Sequence, residues 1–213
     1  MGKEKNKSII FILLIIAIVI IVIGAVFYFI KPQSLNQNEG EKISELFRNL
    51  KEKEEYSFEA KSDKDKKMFF VKGLKQAYLE EIVDGIEMKT INKDKNMYLL
   101  KDAEKAYYTY KNNDKNLNKV EDALEEVKDL EYEVGKEKID DKTYTYIEVA
   151  KSTDFVIMDL SAAKQVKTRF YFDGDKLDYI KTIADKKEEL LKVTISDNVD
   201  RNLFEIPADY EEK

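Results

Sequence analysis

The hydrophobic pattern divides the chain into one long apolar run and a longer segment of alternating apolar and polar positions. Ile9 to Ile30 is an apolar run of 22 residues that only Gly24 interrupts. A helix of that length, at ~1.5 Å rise per residue, spans roughly 33 Å, and the hydrocarbon core of a bilayer is about 30 Å thick. We therefore predict a transmembrane signal-anchor helix over residues 8–30, followed by a polar linker over residues 31–40.

The charges on either side of this run predict its orientation. Three lysines lie within the first seven residues, whereas only Lys31 lies close behind the run. Because positive charge stays on the cytoplasmic side of a membrane, we expect residues 1–7 to form a cytoplasmic tail and residues 41–213 to form an extracytoplasmic domain. Cleavage after Ala25 fits poorly, since Ile23 stands where a signal-peptidase site has a small residue. The predicted location is the cell membrane, with a single pass and an extracellular C-terminal domain.

Two segments of the outer domain carry apolar residues at helical spacing. One stripe, at i, i+3, i+4 and i+7, predicts a helix over about residues 41–54, and a second predicts a helix around residues 117–127. We expect both stripes to pack on a sheet. The stripe positions are Ile43, Leu46, Phe47 and Leu50 in the first helix and Leu117, Val120, Leu124 and Val127 in the second.

Elsewhere in the outer domain the apolar period is two, which is typical of strands. Tyr56, Phe58 and Ala60 alternate with polar neighbours, and similar short runs separated by turn residues follow as far as Tyr110. Further runs lie between residues 132 and 195. About five strands before the second helix and about five after it predict an α+β domain with one large curved antiparallel sheet.

Residues 153–165 are the one stretch whose pattern fits two structures. Thr153 could cap a short helix, or the apolar residues 155–158 could be buried and extended. Both alternatives stay open on the sequence.

Composition excludes much chemistry. The 213 residues contain no His and no Cys, so there is no imidazole acid or base, no thiol nucleophile, no disulfide and no lipidated cysteine. From residue 32 onward 33 basic and 42 acidic residues give a net charge of -9, which disfavours nucleic acid as a partner. We predict no catalytic residue, no metal site and no cofactor, and we classify the protein as a non-enzyme.

Two local motifs suggest chemistry that their context does not support. Ser161 and Lys164 make an S-x-x-K, and an S-D-N begins at Ser196, but the K-T-G of penicillin-interacting serine enzymes is missing. Residues 173–178 are rich in aspartate, but an EF-hand loop needs a glycine and a glutamate that are not in register here. We interpret residues 173–176 as a hairpin turn.

Aromatic residues on the strands are the most informative remaining feature. Twelve tyrosines and eight phenylalanines follow residue 31. Helices covering one face of the sheet could bury them as core, whereas a sheet that the helices cover incompletely would leave an apolar cavity. Periodicity leaves both alternatives open.

Three stretches of the chain resemble a known family. They are the ending Leu203-Phe204-Glu205-Ile206-Pro207-Ala208-Asp209-Tyr210, the strand–turn–strand over 97–108 (MYLLKDAEKAYY) and the hairpin over 132–144 (YEVGKEKIDDKTY). These resemble the "LFEIPxxY", "YLLD…KKYY" and "GKExIDGK" patterns of the bacterial lipoprotein-carrier-like (LolA/LppX-like) superfamily. The resemblance covers roughly residues 41–210.

The resemblance implies a half-open antiparallel β-barrel wrapped around helices, with an apolar cavity that holds acyl chains. This chain departs from the lipoprotein members of the family, because it has no cysteine for a lipid anchor and carries the apolar run instead. Its Lys-, Ile- and Asn-rich composition suggests a Gram-positive, single-membrane bacterium.

Two functions follow as hypotheses. The first is a membrane-anchored domain that binds a lipid or the acyl chains of a lipoprotein. Its candidate ligand-binding residues are the expected inward members of the strands, namely Phe58, Phe70, Tyr78, Met97, Leu99, Tyr108, Phe170 and Phe172. The second is a protein-interaction module that docks a cell-envelope enzyme, such as a sporulation or germination partner, and it requires helices that fill the sheet.

Overall fold

The computed structural model describes residues 37–213, apart from residues 113–116, 154, 156–159 and 161–162. The cytoplasmic tail, the anchor over residues 8–30 and most of the linker predicted from the sequence lie outside the described residues. Neither helix in the described part of the chain is long and apolar enough to cross a bilayer.

Within these residues the chain forms two α-helices, two 3₁₀ turns and twelve β-strands. Helix α1 spans Gln37–Glu52 and helix α2 spans Lys119–Glu125, while the 3₁₀ turns span Asp102–Glu104 and Arg201–Phe204. The strands are β1 Tyr56–Lys61, β2 Lys67–Gly73, β3 Gln76–Val83, β4 Ile86–Lys93, β5 Asn96–Lys101, β6 Ala106–Lys111, β7 Tyr132–Ile139, β8 Lys142–Val149, β9 Val166–Asp173, β10 Lys176–Ala184, β11 Lys187–Ser196 and β12 Glu211–Glu212.

All twelve strands belong to one open sheet, in the order β12-β6-β5-β4-β3-β2-β1-β11-β10-β9-β8-β7. Neighbours pair antiparallel, except that β12 pairs parallel with β6. Strand β1 joins the two halves, because it pairs with β2 on one side and with β11 on the other. The predicted large antiparallel sheet with helices is confirmed, although β12, with two residues, is too short to leave a periodic signal.

One face of the sheet, which we call the helix face, packs against α1 and α2. Every second residue of β1 is buried here, and Phe58 lies in register between Phe70 of β2 and Ile195 of β11. The helices contribute members of the predicted stripes, Ile43 and Leu50 from α1 and Val120 and Leu124 from α2, and α2 also contributes Ala123. Fully burying a large apolar side chain contributes about 1.5–3 kcal/mol, so this cluster is the main source of stability.

A buried polar contact also attaches α2 to the sheet. The Glu121 carboxylate, which is 3% exposed, accepts hydrogen bonds from the Tyr56 hydroxyl at 2.6 Å and from the Lys72 ammonium at 2.5 Å. Burial and the neighbouring Glu121 charge raise the pKa of Tyr56 well above its usual value, so its hydroxyl stays a donor. The contact therefore fixes the position of α2 over β1 and β2.

The opposite face, which we call the outer face, is covered over β2–β5 by the C-terminal residues 199–210. Phe204 is fully buried against Val71, Tyr78 and Ile91. The Lys93 ammonium donates to the Phe204 carbonyl at 2.8 Å, and the Tyr210 hydroxyl donates to Asp102 at 2.7 Å. The "LFEIPxxY"-like ending is thus a structural strap, and we call residues 199–210 the strap.

Over β7–β11 the outer face carries a small aromatic cluster in place of a strap. Ile139, Tyr144 and Tyr171 are buried there, with Tyr146, Tyr179 and Leu190 around them. Gly135 of β7 lies opposite Tyr146 of β8, and a β-carbon at Gly135 would lie 2.4 Å from the Tyr146 Cζ and Oη atoms. The glycine in the hairpin motif is therefore needed for the Tyr146 ring to lie across β7.

Residues 153–165 form neither helix nor strand in their described part. The hydroxyl of Thr153 is buried and has no hydrogen-bond partner among the described residues. Phe155 is buried on the helix face, where its ring stacks on Phe58 with centroids 5.3 Å apart and meets Phe170 edge-on at 6.4 Å. The burial predicted by the second alternative is confirmed for Phe155.

The strap predicts a large effect of Phe204→Ala. Removing this fully buried ring would leave a cavity against β2 to β4 and lower the free energy of unfolding by about 3–5 kcal/mol. Urea unfolding of the two proteins at neutral pH measures the difference. The matched control is Arg201→Ala, an exposed change in the same turn, which we expect to cost less than about 0.5 kcal/mol. Equal losses of unfolding free energy in Phe204→Ala and Arg201→Ala would contradict the stabilising role of the strap.

The close approach at Gly135 predicts that Gly135→Ala costs about 1–3 kcal/mol of unfolding free energy, because the new methyl group overlaps the Tyr146 ring. Tyr146→Leu should relieve the overlap, so the same glycine substitution should cost less in that background. A double-mutant cycle by thermal or urea unfolding measures the coupling. A coupling of zero would show that the tyrosine ring is not the cause.

Candidate ligand-binding site

Four of the eight candidate residues lie inside the packed core. Phe58, Phe70, Phe170 and Phe172 are all on the helix face, and each is at most 3% exposed. They pack with the helices and Phe155 in one cluster, so they are core side chains between the helices and the sheet. This half of the sheet, β1–β3 and β8–β11, fits the packed-core alternative.

Tyr78 lies on the other face of the sheet. Its ring meets Phe69 edge-on, with centroids 6.2 Å apart, and packs in the cluster beneath the strap. The expected inward orientation is thus wrong for this residue. The cause is its register: Tyr78 pairs with Val71 and Ile91, whereas the inward positions of β3 are Ala77 and Leu79.

The remaining three candidates, Met97, Leu99 and Tyr108, lie together on the helix face of β5 and β6. They are only half-buried and are not part of the core cluster that packs under the helices. Their neighbours on β4 and β6 complete a surface of one face and three strands, which we call the open strip. It consists of Ile86, Met88, Thr90 and Asn92 of β4, Met97, Leu99 and Lys101 of β5, and Ala106, Tyr108 and Tyr110 of β6.

The pairing register places these side chains in rows across the three strands. Leu99 lies between Thr90 and Tyr108, and in the next row Met97 lies between Asn92 and Tyr110. Side chains in register on adjacent strands are close enough to form one continuous surface. Three large hydrophobic members are well exposed: Ile86 by 74%, Met88 by 42% and Tyr110 by 47%.

The open strip begins where the described helix layer ends. Beyond β3 the core cluster under the helices contains no described residue of β4, β5 or β6. At the border, the Lys119 ammonium at the start of α2 lies 3.4 Å from the Glu81 carboxylate of β3. The border ion pair and the change from buried to half-buried side chains separate the packed half from the open half.

Polar groups line the inner margin of the strip, next to the packed core. Thr90 and Asn92 are buried, and the Asn92 carbonyl oxygen accepts a hydrogen bond from the Asn112 amide at 2.5 Å. At the outer margin the Tyr108 hydroxyl lies 3.5 Å from the Glu104 carboxylate. The strip thus has an apolar middle, Met97 and Leu99, with hydrogen-bonding groups on both sides.

Sequence reasoning missed the β4 and Tyr110 members of this surface. Met88 and Thr90 stand at alternate positions of one predicted strand, and Tyr110 is two residues from the candidate Tyr108. The turn at Asp94 and Lys95 fixes the pairing of β4 with β5, so the alternation could have found these residues once that hairpin register was assumed.

Two clefts flank α1 but differ in character from the strip. One, of about 510 Å³, lies between α1 and residues 128–129, and the other, of about 500 Å³, lies between α1, the start of β10 and the end of β11. In the first, the Lys51 and Lys128 ammonium groups lie 5.0 and 5.6 Å from the centre of the Phe47 ring. Charged residues of both signs line these clefts, which does not favour an acyl chain.

The S-D-N motif and the aspartate-rich segment, which we did not assign a function from the sequence, have structural roles in the described part of the chain. Ser161 lies outside the described residues, while Asp197 of the S-D-N forms an ion pair with Lys53. Residues 173–176 form the turn between β9 and β10, with Gly174 at a φ of 60°, so the predicted hairpin turn is confirmed. The described residues contain no group of three or more acidic side chains arranged to hold a metal ion.

A charged cluster on the outer face of β7–β10 is the other concentration of titratable groups. The Glu148 carboxylate accepts from the Arg169 Nε atom at 2.6 Å and from Lys167, and the Glu137 carboxylate accepts from the Tyr171 hydroxyl at 2.7 Å and from Lys181. Burial by itself raises the pKa of each carboxyl group, but the hydrogen bonds from these donors outweigh it and lower both pKa values. Each acid has its donors, so the cluster is a structural network.

This network predicts how the free energy of unfolding falls at acid pH. A carboxyl group with a lowered pKa in the folded state stabilises the protein above its unfolded pKa of about 4.3, and this stabilisation is lost as the pH falls through the lower folded value. We expect Glu148→Gln to be less stable at pH 7 and to lose less stability between about pH 5 and 3 than the unsubstituted protein. Urea unfolding at several pH values measures both slopes. The exposed change Glu131→Gln should leave the slope unchanged, and a Glu148→Gln slope equal to the original would contradict the role of the network.

Comparisons with known proteins find similar solved structures, all at low sequence identity. No family model and no curated protein matches the sequence. An uncharacterised conserved protein of Thermus thermophilus is 8% identical, with 83% of this chain and 99% of that chain covered and a TM-score of 0.49. The lipoprotein LppX of Mycobacterium tuberculosis is 11% identical, with 76% and 96% covered and a TM-score of 0.43. A LolA superfamily protein of Nitrosomonas europaea is 8% identical, with 71% and 88% covered and a TM-score of 0.29.

Two of these three structures carry the names of the superfamily that the sequence motifs resemble. All three TM-scores are below 0.5, so these likenesses do not bear on function.

Proposed function

We propose that this protein is a non-enzymatic, membrane-anchored domain that binds an apolar ligand, a lipid or the acyl chains of a lipoprotein, on the open strip of β4–β6. The anchor is the apolar run over residues 8–30, and the binding domain lies outside the cytoplasm. The ligand covers the part of the helix face that α1 and α2 leave open. Of the eight candidates from the sequence, Met97, Leu99 and Tyr108 carry this role.

The observation that carries the proposal is the composition of the strip. In a chain of which 38% is charged, the ten side chains of the strip include a single charged one, Lys101. The outer face of the same three strands carries four charged residues, Glu87, Lys89, Lys93 and Lys111. Contiguous apolar surface of this kind on a solvent-exposed face marks a binding site.

The side chains of the strip suit a flexible apolar ligand. Met88 and Met97 are unbranched and adapt to irregular shapes, and tyrosines such as Tyr108 offer an apolar ring with a polar end. Covering apolar surface contributes about 25 cal/mol for each Å² removed from water, without demanding one fixed geometry. An acyl chain is both flexible and apolar, so it matches this surface.

The docking alternative is less well supported. It requires helices that fill the sheet, and the described helices fill the part formed by β1–β3 and β8–β11 but not β4–β6. The half-buried Leu99 in the centre of the strip is the residue on which the two hypotheses differ most.

The test is a charge placed in the centre of the strip. Leu99→Glu should lower the amount of lipid that co-purifies with the full chain at least tenfold, because burying an unpaired carboxylate under a ligand costs several kcal/mol. Native mass spectrometry of the protein extracted from membranes measures lipid occupancy, and circular dichroism checks the fold.

The matched control is Leu74→Glu, the same change at a leucine that is 67% exposed in the turn between β2 and β3. It should keep the original occupancy. The proposal is wrong if the unsubstituted chain carries no lipid and takes up no fluorescent fatty acid, or if the two glutamate variants bind alike.

A further inference from the structure

The single charge of the open strip has a specific position. Lys101 is the last residue of β5 and stands two residues beyond Leu99, so its side chain lies on the same face at the end of the strip. It is exposed, and at the end of β5 it also borders a cleft of about 210 Å³ whose other walls are the 3₁₀ turn at Asp102–Glu104 and Glu87 and Lys89 of the outer face. A chain lying on Met97 and Leu99 would therefore end beside this ammonium group.

Lys101 differs from the neighbouring lysines in its partners. Lys89 is paired with Asp102 at 2.6 Å and with Glu87 at 2.9 Å, and Lys105 is paired with Asp209. Among the described residues Lys101 has no ion-pair partner. A negative charge that pairs with Lys101 would therefore have to come from the ligand.

The acids around the cleft are already engaged. Asp102 and Glu87 both form ion pairs with the Lys89 ammonium, and Asp102 also accepts a hydrogen bond from the Tyr210 hydroxyl at 2.7 Å. Glu104, the remaining carboxylate of the cleft, faces the Tyr108 hydroxyl at 3.5 Å. Among these described residues, a cationic head group would therefore meet Glu104 alone, whereas an anionic one would meet the ammonium of Lys101.

We infer that the ligand is an amphiphile with an acidic head group, a carboxylate or phosphate, which pairs with Lys101 while its acyl chain lies over Met97 and Leu99. This inference rests on the proposed function and adds the class of head group. An exposed ion pair is worth up to about 1 kcal/mol, so the head group sets selectivity and the apolar strip sets most of the affinity.

Photo-labelling of the full chain in membranes tests the inference. The probes are a fatty acid and the matching fatty alcohol, both with a diazirine in the acyl chain, and mass spectrometry quantifies labelling of residues 86–110. Labelling of the apolar run over residues 8–30 normalises each sample. We expect the acid to label the strip about threefold more than the alcohol, and Lys101→Gln to reduce acid labelling to the level of the alcohol.

The matched control is Lys111→Gln, which removes an exposed lysine from the outer face of β6 and should change neither yield. Equal labelling of the strip by acid and alcohol, or an unchanged acid yield in Lys101→Gln, would overturn the head-group inference while leaving apolar binding intact. Absence of labelling of the strip by both probes would overturn the proposed function itself. Labelling by the alcohol in excess of the acid would also overturn the inference.

Discussion

Cover for the apolar side chains of the sheet is the constraint on which the rest of this structure depends. Twelve strands at ~4.8 Å spacing make a sheet roughly 53 Å across. The two described helices, of 16 and 7 residues, would span only about 35 Å at ~1.5 Å per residue even if laid end to end across the strands. The helices therefore cover one part of the helix face, and β4–β6 keep an apolar surface that the described residues leave half-exposed.

The outer face meets the same constraint with different means. Over β2–β5 the strap supplies Phe204 as a buried plug, and its carbonyl and hydroxyl contacts with Lys93 and Asp102 fix its path. Over β7–β10 long charged side chains and tyrosines pack together, and Glu137 and Glu148 each gain cationic donors that compensate for burial. The cationic donors replace the hydrogen bonds to water that both carboxylates lose on burial. A half-buried charge on a sheet needs such partners, because burial without them is costly.

The candidate residues divide according to which of these covers lies above them. Phe58 and Phe170 have the same alternation and the same face as Leu99, so sequence pattern treats them alike. Their environments differ because α1, α2 and Phe155 pack over the first two and stop short of β5. Tyr78 shows a second limit: one residue of register separates the two faces of a strand, and an isolated aromatic residue does not reveal which face it takes.

The sequence by itself determined the elements and much of their order. Period-two alternation predicted the antiparallel sheet, the stripes at Ile43 and Val120 predicted both helices, and the lack of His and Cys removed whole classes of catalysis, because these properties are local to short stretches or to composition. Only the tertiary structure decided which aromatic residues are core, that the "LFEIPxxY"-like ending is a strap, and that Lys101 stands at the end of an apolar strip. These depend on how far two helices and one strap reach across a wide sheet, and that reach is set by contacts between residues far apart in the chain.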